Sequence, residues 1–453
     1  MSDKQAKSFS SNIGAIMAAV GSAVGLGNIW RFPYICGQYG GGAFIVVYLL
    51  FVFLLGSVLM MSEFVLGRRS HHSHILSIPA SRGERSSWAI VGVVGVVACF
   101  SILSLYLVLS GWTAGFFWDS ITGTLSSLGI DKDAVDAHFV DFSTSSLRST
   151  LFLLVFSVTV LFVILGGVQQ GIETVSKILM PCLVLIVLVL AVHNLFLPGA
   201  SKGLQFLFST DFSKLTGEGI LAALGQALFS LSVGMGVMVV YGSYIPVDDN
   251  IFKTAMWITV SDTAIAILAG VAIFPAVFAC GMEPAGGPGL VFKVLPTVFN
   301  SMGSVGVVFS SLFFFLLLVA ALTSAISLLE TLTACFCEHT KVNRNISAIL
   351  FFFLSSVCGV IISLSNGVLS DFTIFGFTIF DFVDKLNSIY LPPLGALGII
   401  LFVGWVMDQK TLKDELSNHG TISIGYYPVF RLLARYVVPV ALLVVIVTGI
   451  LGL

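Results

Sequence analysis

The chain has 453 residues, of which 57% are hydrophobic and 10% are charged, whereas an ordinary soluble domain carries roughly 25% charged residues. This composition excludes a water-soluble globule. The net charge is −2 and the 21 Lys and Arg residues are scattered along the chain, so neither a nucleic-acid surface nor a polybasic membrane-surface patch is expected. The seven cysteines lie singly in or beside apolar segments, which predicts free thiols.

Apolar segments that predict membrane-spanning helices follow one another along the whole chain. A helix needs about 20 apolar residues to cross a hydrocarbon core of about 30 Å. The polar start at 1–11 has no cleavage site typical of a removable signal peptide. After it we identify eleven such segments, at 12–36, 41–67, 88–123, 149–167, 172–196, 217–244, 254–282, 304–338, 345–364, 378–406 and 429–452.

The positive charges predict how these segments are oriented. If the N-terminus is cytoplasmic, fourteen Lys and Arg residues fall on the cytoplasmic side and seven on the other side. Cytoplasmic loops carry an excess of positive charge. We therefore expect a multi-pass protein of the cell (plasma) membrane with a cytoplasmic N-terminus and, after eleven crossings, an external C-terminus.

Two of the segments are unlike ordinary spanning helices. The first contains Gly-Ser-Ala-Val-Gly-Leu-Gly-Asn-Ile-Trp-Arg-Phe-Pro at 21–33, and the sixth contains Gly-Gln-Ala-Leu-Phe-Ser-Leu-Ser-Val-Gly-Met-Gly at 225–236. Glycine weakens a helix by about 1 kcal/mol relative to alanine. A break in lipid costs several kcal/mol for each unpaired backbone group unless these groups line a cavity or hold a ligand. Close packing of helices through Gly21 and Gly25 is the alternative.

The two predicted breaks fall in the first helix of each half of the chain, which is typical of an inverted-repeat transporter. We expect an all-α integral membrane protein of 11 transmembrane helices. Its parts are a cytoplasmic tail at 1–11, a five-helix repeat at 12–200, an inverted five-helix repeat at 201–410, and a loop with an additional eleventh helix at 411–453.

Broken helices indicate the chemistry of a site at mid-membrane. Half-helix N-termini favour an anionic group and freed carbonyls coordinate a hard cation, so a zwitterion together with sodium fits. An enzyme is not expected, because the chain has no phosphate-binding loop, no H-E-x-x-H motif and no grouped Ser/His/Asp set. We interpret His71, His72 and His74 as part of a solvated cytoplasmic loop rather than a metal site.

The stretch at 21–33, followed by Gly-Gly-Gly-Ala-Phe at 40–44, resembles the signature of the neurotransmitter:sodium symporter family, which has the leucine-transporter fold. The resemblance covers essentially the whole chain. With eleven rather than twelve spans, it is most similar to the bacterial members that carry several hydrophobic amino acids. Further matches are Glu63, Tyr106, Trp112, the stretch 226–236 and Ala320 to Ser324.

The resemblance implies two sodium sites. One would use the Ala23 carbonyl with Asn28, Ser230 and an acidic or hydroxyl residue of the seventh segment. Counting from Tyr244 gives Asp262, and counting back from Pro275 gives Ser261. We choose Asp262 because a carboxylate is the more useful neighbour of a cation in lipid. The second site would combine the carbonyls of Gly21, Val24 and Ala320 with the hydroxyls of Thr323 and Ser324. The alternative for these two hydroxyls is a hydrogen bond to a carbonyl of their own helix.

The resemblance also implies an amino-acid site. The substrate carboxylate would meet the N–H groups of Leu26 and Gly27 and the Tyr106 hydroxyl, and the amine would meet the carbonyls of Ala23, Phe229 and Ser230, assisted by Ser232. Gly25 stands where carriers of monoamines have an aspartate. The protein therefore supplies no side-chain anion here, which favours an amino acid, with its own carboxylate, as the substrate. The apolar side-chain pocket would consist of Ile102, Phe229, Met235 and Leu328, with Ser324 nearby. Methionine adapts to irregular shapes, although Met235 also fits an ordinary core position.

Gating residues are implied in the same way. Arg31 and Asp384 match the outer gating pair, above a lid of Tyr106 and Phe229. Glu338 matches the acidic residue of the inner gate, but the usual arginine position is Ala6, so that Lys4 or Lys7 would have to replace it, and Phe9 stands in place of a tryptophan.

Gly171 and Pro181 bracket a part of the fifth segment that either unwinds to open a water path or simply kinks.

These observations predict a sodium-coupled symporter that imports hydrophobic L-amino acids. Chloride is not expected as a requirement, because Asp262 supplies a negative charge where chloride-dependent relatives use residues like Tyr48, Gln226 and Ser230 to hold the anion. The alternatives are a sodium-coupled carrier of another small zwitterion or osmolyte and, in a different class, an amino-acid sensor or a channel. The polar residues cluster at mid-depth rather than along a whole path, which favours a carrier over a channel.

Overall fold

The chain folds as a bundle of helices with one short hairpin, and the computed structural model describes residues 12–82, 87–246, 248–282 and 290–451. The first half consists of α1 (Asn12–Ala23), a π-helical turn (Gly27–Arg31), α2 (Phe32–Gln38), α3 (Gly42–Ser70), α4 (His74–Arg82), α5 (Ala89–Ile121), α6 (Thr124–Ser127), α7 (Lys132–Thr144), α8 (Ser146–Leu165), α9 (Val168–Leu195) and α10 (Ala200–Phe208).

The second half begins with a 3₁₀ turn (Phe212–Lys214) and continues with α11 (Gly217–Ser230), α12 (Val237–Tyr244), α13 (Ile251–Ala279), α14 (Val294–Ser301), α15 (Ser304–Thr340) and α16 (Arg344–Leu364). An antiparallel hairpin follows, with β1 (Thr373–Ile374) paired to β2 (Phe377–Thr378). The chain ends with α17 (Ile379–Val406), α18 (Gln409–Leu416) and α19 (Tyr427–Leu451).

Nine helices of the described residues are long and apolar enough to cross a membrane, or ten if α1 and the helix after it form one bent span. Their outward side chains are apolar: Phe162 on α8 and Ile178 on α9 are 71% and 65% exposed. Such a surface is stable in hydrocarbon and not in water. The helix ends lie within a few residues of the predicted boundaries, so the chain is a multi-pass helical membrane protein.

Helix α1 ends at Ala23 and helical structure resumes at Gly27 with a bend of 43° between the two parts. The stretch 231–236 between α11 and α12 is likewise non-helical. Gly234 and Gly236 have φ of 85° and 80°, which glycine adopts without strain. A Cβ on Gly234 would overlap the Pro392 carbonyl oxygen. Gly234 and Gly236 therefore form part of the second break, and Gly25 lies at the first, whereas Gly21 lies within α1.

Helix α9 begins with a π-helical segment, Val168–Glu173, and is α-helical from Thr174 through Pro181. A Cβ on Gly171 would overlap the carbonyl oxygen of Val163 at the end of α8, so glycine permits the close approach of the two helices. The stretch that Gly171 and Pro181 bracket is wound in this conformation.

The loop histidines differ from the prediction of a uniformly solvated loop. His71 is exposed, but His74 is completely buried at the start of α4. Its ring occupies the space that a side chain at Gly95 on α5 or Gly236 before α12 would fill. The two glycines make room for the imidazole, and this pairing across distant segments explains why the loop position alone was misleading.

Candidate functional site

A small cavity lies where the break after α1 meets α5, the 231–236 break and α15. Ten of the twelve predicted substrate-binding residues line it. These ten are Ala23, Gly25, Gly27, Ile102, Tyr106, Phe229, Ser232, Met235, Ser324 and Leu328. Ser22 also lines the cavity and was not predicted, whereas Leu26 and Ser230 do not line it. Leu26 lines an adjoining cavity instead. Residues separated by about 300 positions are thus brought to one point.

Main-chain groups freed by the first break are held by side chains of other helices. The Leu26 N–H donates to the Tyr106 hydroxyl at 2.8 Å. The Ser22 carbonyl accepts from Ser232 Oγ and from Ser324 Oγ, both at 3.1 Å. Burying a polar group without a partner is costly, so these contacts stabilise the break and fix the direction of its dipoles.

The side of the cavity away from these main-chain groups is apolar. Ile102, Met235 and Leu328 are buried there, and Phe229 is half-buried beside them. The Arg31 guanidinium lies 4.9 Å from the centre of the Phe229 ring, which is within range of a cation–π contact. The Phe229 ring also lines the adjoining cavity that contains Arg31 and Asp384, which we call the charged vestibule. The ring therefore lies between the two cavities.

A buried cluster of oxygens lies next to the cavity. Asn28 Nδ2 donates to Asp262 Oδ1 at 2.8 Å and to Ser230 Oγ at 3.1 Å. Ser230 Oγ donates to Asp262 Oδ2 at 2.7 Å, while Asn28 Oδ1 accepts from the Gly25 N–H at 3.1 Å. Asp262 is 0% exposed, and none of the ion pairs among the described residues includes it. In this structure the Asn28 amide nitrogen, rather than its oxygen, contacts the carboxylate. A buried carboxylate beside a hydroxyl and an amide, with no cationic side chain paired to it, is suited to an alkali cation.

Some of the residues predicted for a second sodium site lie close together across α1 and α15. The nearest atoms to a Cβ built on Gly21 are Met180 Sδ at 3.3 Å and Thr323 Cβ at 3.4 Å. Thr323 Oγ1 donates to the carbonyls of Val319 and Ala320 at 3.2 and 3.1 Å, which is the back-bonding that helical hydroxyls favour. Ser324 differs, because its hydroxyl crosses to α1.

Two contacts that support the breaks were not predicted. Glu63 Oε1 on α3 accepts from the Gly234 N–H at 2.6 Å, within the second break. Ser22 Oγ donates to Ser327 Oγ on α15 at 2.8 Å. An acidic residue at membrane depth is a signal of function in itself, and this signal could have indicated a role for Glu63 beyond its match to the family.

Arg31 and Asp384 face each other across the charged vestibule above Phe229, and both line two adjoining cavities. The larger cavity has a volume of about 340 Å³ and includes Glu218 and Lys385. No ion pair within 4 Å joins Arg31 to Asp384 among the described residues. The two charges are therefore neighbours that are not locked together.

On the opposite side of the bundle, the Glu338 carboxylate accepts from the Ser73 N–H at 2.6 Å and lies 3.7 Å from His72 Nδ1. An acidic group at a helix N-terminus is favourable, so Glu338 holds the start of α4. The other residues considered for this gate, Lys4, Ala6, Lys7 and Phe9, lie outside the described residues.

Interrupted helices that enclose a central cavity, with a charged vestibule on one side, define a multi-pass membrane transport protein. Comparison with known proteins gives its family. The model of the sodium:neurotransmitter symporter family matches residues 6–149 and 142–453, and the chain belongs to this family. Its members are transporters, which agrees with the expectation that the protein is not an enzyme.

Individual relatives match along nearly their whole length. A Bacillus subtilis protein described as an uncharacterized sodium-dependent transporter is 39% identical over 449 residues, covering 98% of each chain. A Haemophilus influenzae protein with the same description is 34% identical over 458 residues, covering 99% of each. The crystal structure of MhsT in complex with L-phenylalanine is 40% identical, with a TM-score of 0.90, and the match covers 98% of this chain and 99% of that one.

Proposed function

We propose that this protein is a sodium-coupled symporter that imports hydrophobic L-amino acids by alternating access. The observation that carries the proposal is the cavity at the two breaks, because it combines oriented main-chain groups with apolar side chains. MhsT, which is 40% identical, has been crystallised with L-phenylalanine. The chemistry of an amino acid with an apolar side chain matches both the polar and the apolar residues that line this cavity.

In the proposed complex, the substrate carboxylate meets the N–H groups of Leu26 and Gly27 and the Tyr106 hydroxyl. The amine meets the carbonyls of Ala23, Phe229 and Ser230, with the Ser232 hydroxyl nearby. A Cβ on Gly25 would overlap Ser324 Oγ and Tyr106 Oη, so a side chain here would have to displace both hydroxyls, and glycine itself supplies no anionic group. A substrate must therefore bring its own anionic group.

The substrate side chain contacts Ile102, Phe229, Met235 and Leu328. Burial of apolar surface contributes about 25 cal/mol per Å², so larger apolar side chains bind more tightly until the pocket is full. Met235 changes shape easily, which supports binding of several hydrophobic amino acids.

Two sodium ions are proposed as co-substrates. The first binds among Ala23, Asn28, Ser230 and Asp262 beside the substrate carboxylate, and the second binds among Gly21, Val24, Ala320, Thr323 and Ser324. Each set offers hard oxygen ligands, which alkali cations prefer. The positive charge of the first ion lies beside the substrate carboxylate and completes its binding site. Binding of either solute therefore favours binding of the other, and this couples their transport. Each charge moved inward is worth about 2.3 kcal/mol per 100 mV of membrane potential.

Alternating access is proposed to use the gates at either side of the site. Arg31 and Asp384, with Tyr106 and Phe229, close the outer side, and Glu338 contributes to the inner side. Opening inward unwinds α9 between Gly171 and Pro181. The proposed topology has eleven spans with the N-terminus inside, repeats at 12–200 and 201–410, and an extra helix in 411–453.

Uptake by proteoliposomes tests the proposal. The purified protein is reconstituted and offered labelled L-phenylalanine, L-leucine, L-alanine and glycine betaine with an inward sodium gradient, with potassium in place of sodium, and with gluconate in place of chloride. We expect sodium-dependent accumulation of phenylalanine and leucine. Uptake in gluconate should equal that in chloride, because the Asp262 carboxylate supplies the negative charge beside sodium.

Each rival function gives a different result. Accumulation of glycine betaine alone would identify an osmolyte carrier. Saturable binding without accumulation would identify a sensor, and steady current without solute uptake would identify a channel. Loss of uptake in gluconate would contradict the role given to Asp262 as the compensating anion.

A further inference from the structure

A further recess of about 350 Å³ opens on the outer surface of the bundle, away from the central cavity. It lies between α5, α8, α9 and α15, and its walls include Phe117, Phe152, Leu179, Phe315 and Leu322. We call it the lateral groove. Its volume falls in the range of about 300–1,000 Å³ that is usual for small-molecule sites.

The lateral groove is continuous with the lipid-facing surface. Val155 at its edge is 54% exposed and Trp118 is 53% exposed, and both belong to helices long and apolar enough to span a membrane. The surrounding solvent is therefore hydrocarbon. Thr159, a polar residue of the wall, donates its hydroxyl to the Val155 carbonyl at 3.0 Å, so it offers its occupant no free donor.

We propose that the lateral groove binds one acyl chain of a bilayer phospholipid. A flexible hydrocarbon chain matches the apolar wall and can enter sideways from the membrane. A second copy of the protein is a poorer fit. The groove is a recess between helices, so side chains projecting from the second copy would have to enter it. The headgroup would lie near Trp118, at the end of α5, since tryptophan favours the membrane interface.

The lateral groove adjoins residues of the proposed second sodium site. Val319 and Leu322 form part of its wall on α15, and the neighbouring Ala320 and Thr323 face the bundle interior. The Thr323 hydroxyl donates to the Val319 carbonyl. On α9, Leu179 lines the groove while the next residue, Met180, packs against Gly21.

A bound acyl chain would therefore support α9 and α15 from outside where they flank the proposed second sodium site. We expect occupancy to raise sodium affinity. This effect rests on the proposed function, whereas binding of the chain does not.

Photolabelling tests for the chain itself. The full protein is reconstituted in phosphatidylethanolamine and phosphatidylglycerol vesicles that contain a small fraction of phospholipid with a diazirine near the end of its acyl chain. After illumination, mass spectrometry locates the adducts. We expect adducts concentrated on peptides that contain 152–159 and 315–322, well above those on the lipid-facing parts of α16 and α19.

Variants that fill the groove provide the second measurement. Ala114→Phe adds an aromatic ring to the groove from α5. Thr159→Phe adds one from α8, at an exposed position that tolerates substitution, and replaces the first variant if that one fails to fold. Ala441→Phe on α19 is the matched control. The filling variants should lose groove labelling and raise the sodium concentration for half-maximal uptake about fivefold, the lower end of usual coupling between sites, while the control changes neither.

Uniform labelling of all lipid-facing helices that neither filling variant changes would overturn the proposed binding site. Absence of adducts from these two peptides alone, with α16 and α19 labelled normally, would also overturn it, in favour of a contact between copies that covers the groove. Loss of labelling with unchanged sodium dependence would overturn the coupling. If no sodium-driven uptake occurs at all, the proposed function fails, and labelling still decides whether the chain binds.

Discussion

Asp262 is a carboxylate with no exposure to solvent that accepts hydrogen bonds from Asn28 at 2.8 Å and Ser230 at 2.7 Å. Burying an isolated charge is unfavourable unless a partner compensates it, and a sodium ion is the proposed partner. Asp262→Asn keeps the shape and removes the charge. The sodium concentration for half-maximal amino-acid uptake should rise about tenfold or more, equivalent to about 1.4 kcal/mol of lost binding energy.

Asp371→Asn, at an exposed position, provides the control for the loss of one negative charge and should leave the sodium dependence unchanged. Equal sodium dependence in Asp262→Asn and the unmodified protein would remove Asp262 from the ion site.

His74 is a buried base outside the spanning helices, and its environment makes folding depend on pH. Desolvation lowers the pKa of His74 from 6.5 to about 4. The folded protein then binds fewer protons than the unfolded chain between these two values. Its contribution to stability is complete above pH 6.5 and is lost as the pH falls towards 4, at about 1.4 kcal/mol for each pH unit.

Thermal unfolding in detergent at pH 7.5 and pH 5.5 measures this effect. We expect the midpoint of the unmodified protein to fall on acidification, and His74→Gln to show a smaller fall. His71→Gln, at an exposed position in the same loop, should behave like the unmodified protein. An identical fall in His74→Gln would show that other groups cause the acid sensitivity.

Helix α9 combines a π-helical start with an internal proline, and both features interrupt its regular α-helical hydrogen bonding. Proline removes one helical hydrogen bond, and π-helical turns occur frequently at functional sites. Pro181→Ala should therefore stabilise the wound form of α9 and slow the release of sodium and substrate to the inside. Uptake at saturation should fall, while equilibrium binding of L-phenylalanine stays nearly unchanged.

Binding and uptake measured on the same Pro181→Ala preparation separate the two effects. Pro439→Ala, a proline substitution within α19, provides the comparison. Uptake at the normal rate in Pro181→Ala would indicate that the proline only kinks the helix.

For the molecule as a whole, much of the architecture could be predicted because lipid imposes strong rules on sequence. Apolar length sets the spans, and glycines at membrane depth mark the breaks near Gly25 and Gly234. Side-chain contacts between helices that are distant in sequence could not be predicted in the same way. The burial of His74 depends on two glycines far away in sequence, and the hydrogen bond from Gly234 to Glu63 depends on helix packing. Neither leaves a local pattern.

The connection between α3 and α18 is a further long-range contact of this kind. Arg68 at the end of α3 donates to Glu415 Oε1 at 2.6 Å and to the carbonyl of Asp249 at 2.6 Å. Its NH2 group donates to the amide oxygen of Asn418 at 2.9 Å. The Arg68 and Glu415 side chains are 2% and 6% exposed. This buried cluster connects the loop after α12 and the segment before α19 to the bundle.

Removing one partner of a buried ion pair leaves an uncompensated charge, which costs about 3–5 kcal/mol. Glu415→Gln should therefore lower the thermal unfolding midpoint substantially. The neighbouring pair Arg69 and Asp414 is separated by 3.8 Å and is 39% and 43% exposed. An exposed pair contributes about 0–1 kcal/mol, so Asp414→Asn should change the midpoint little. Equal effects of the two substitutions, measured by thermal unfolding in the same detergent, would show that burial does not distinguish these pairs.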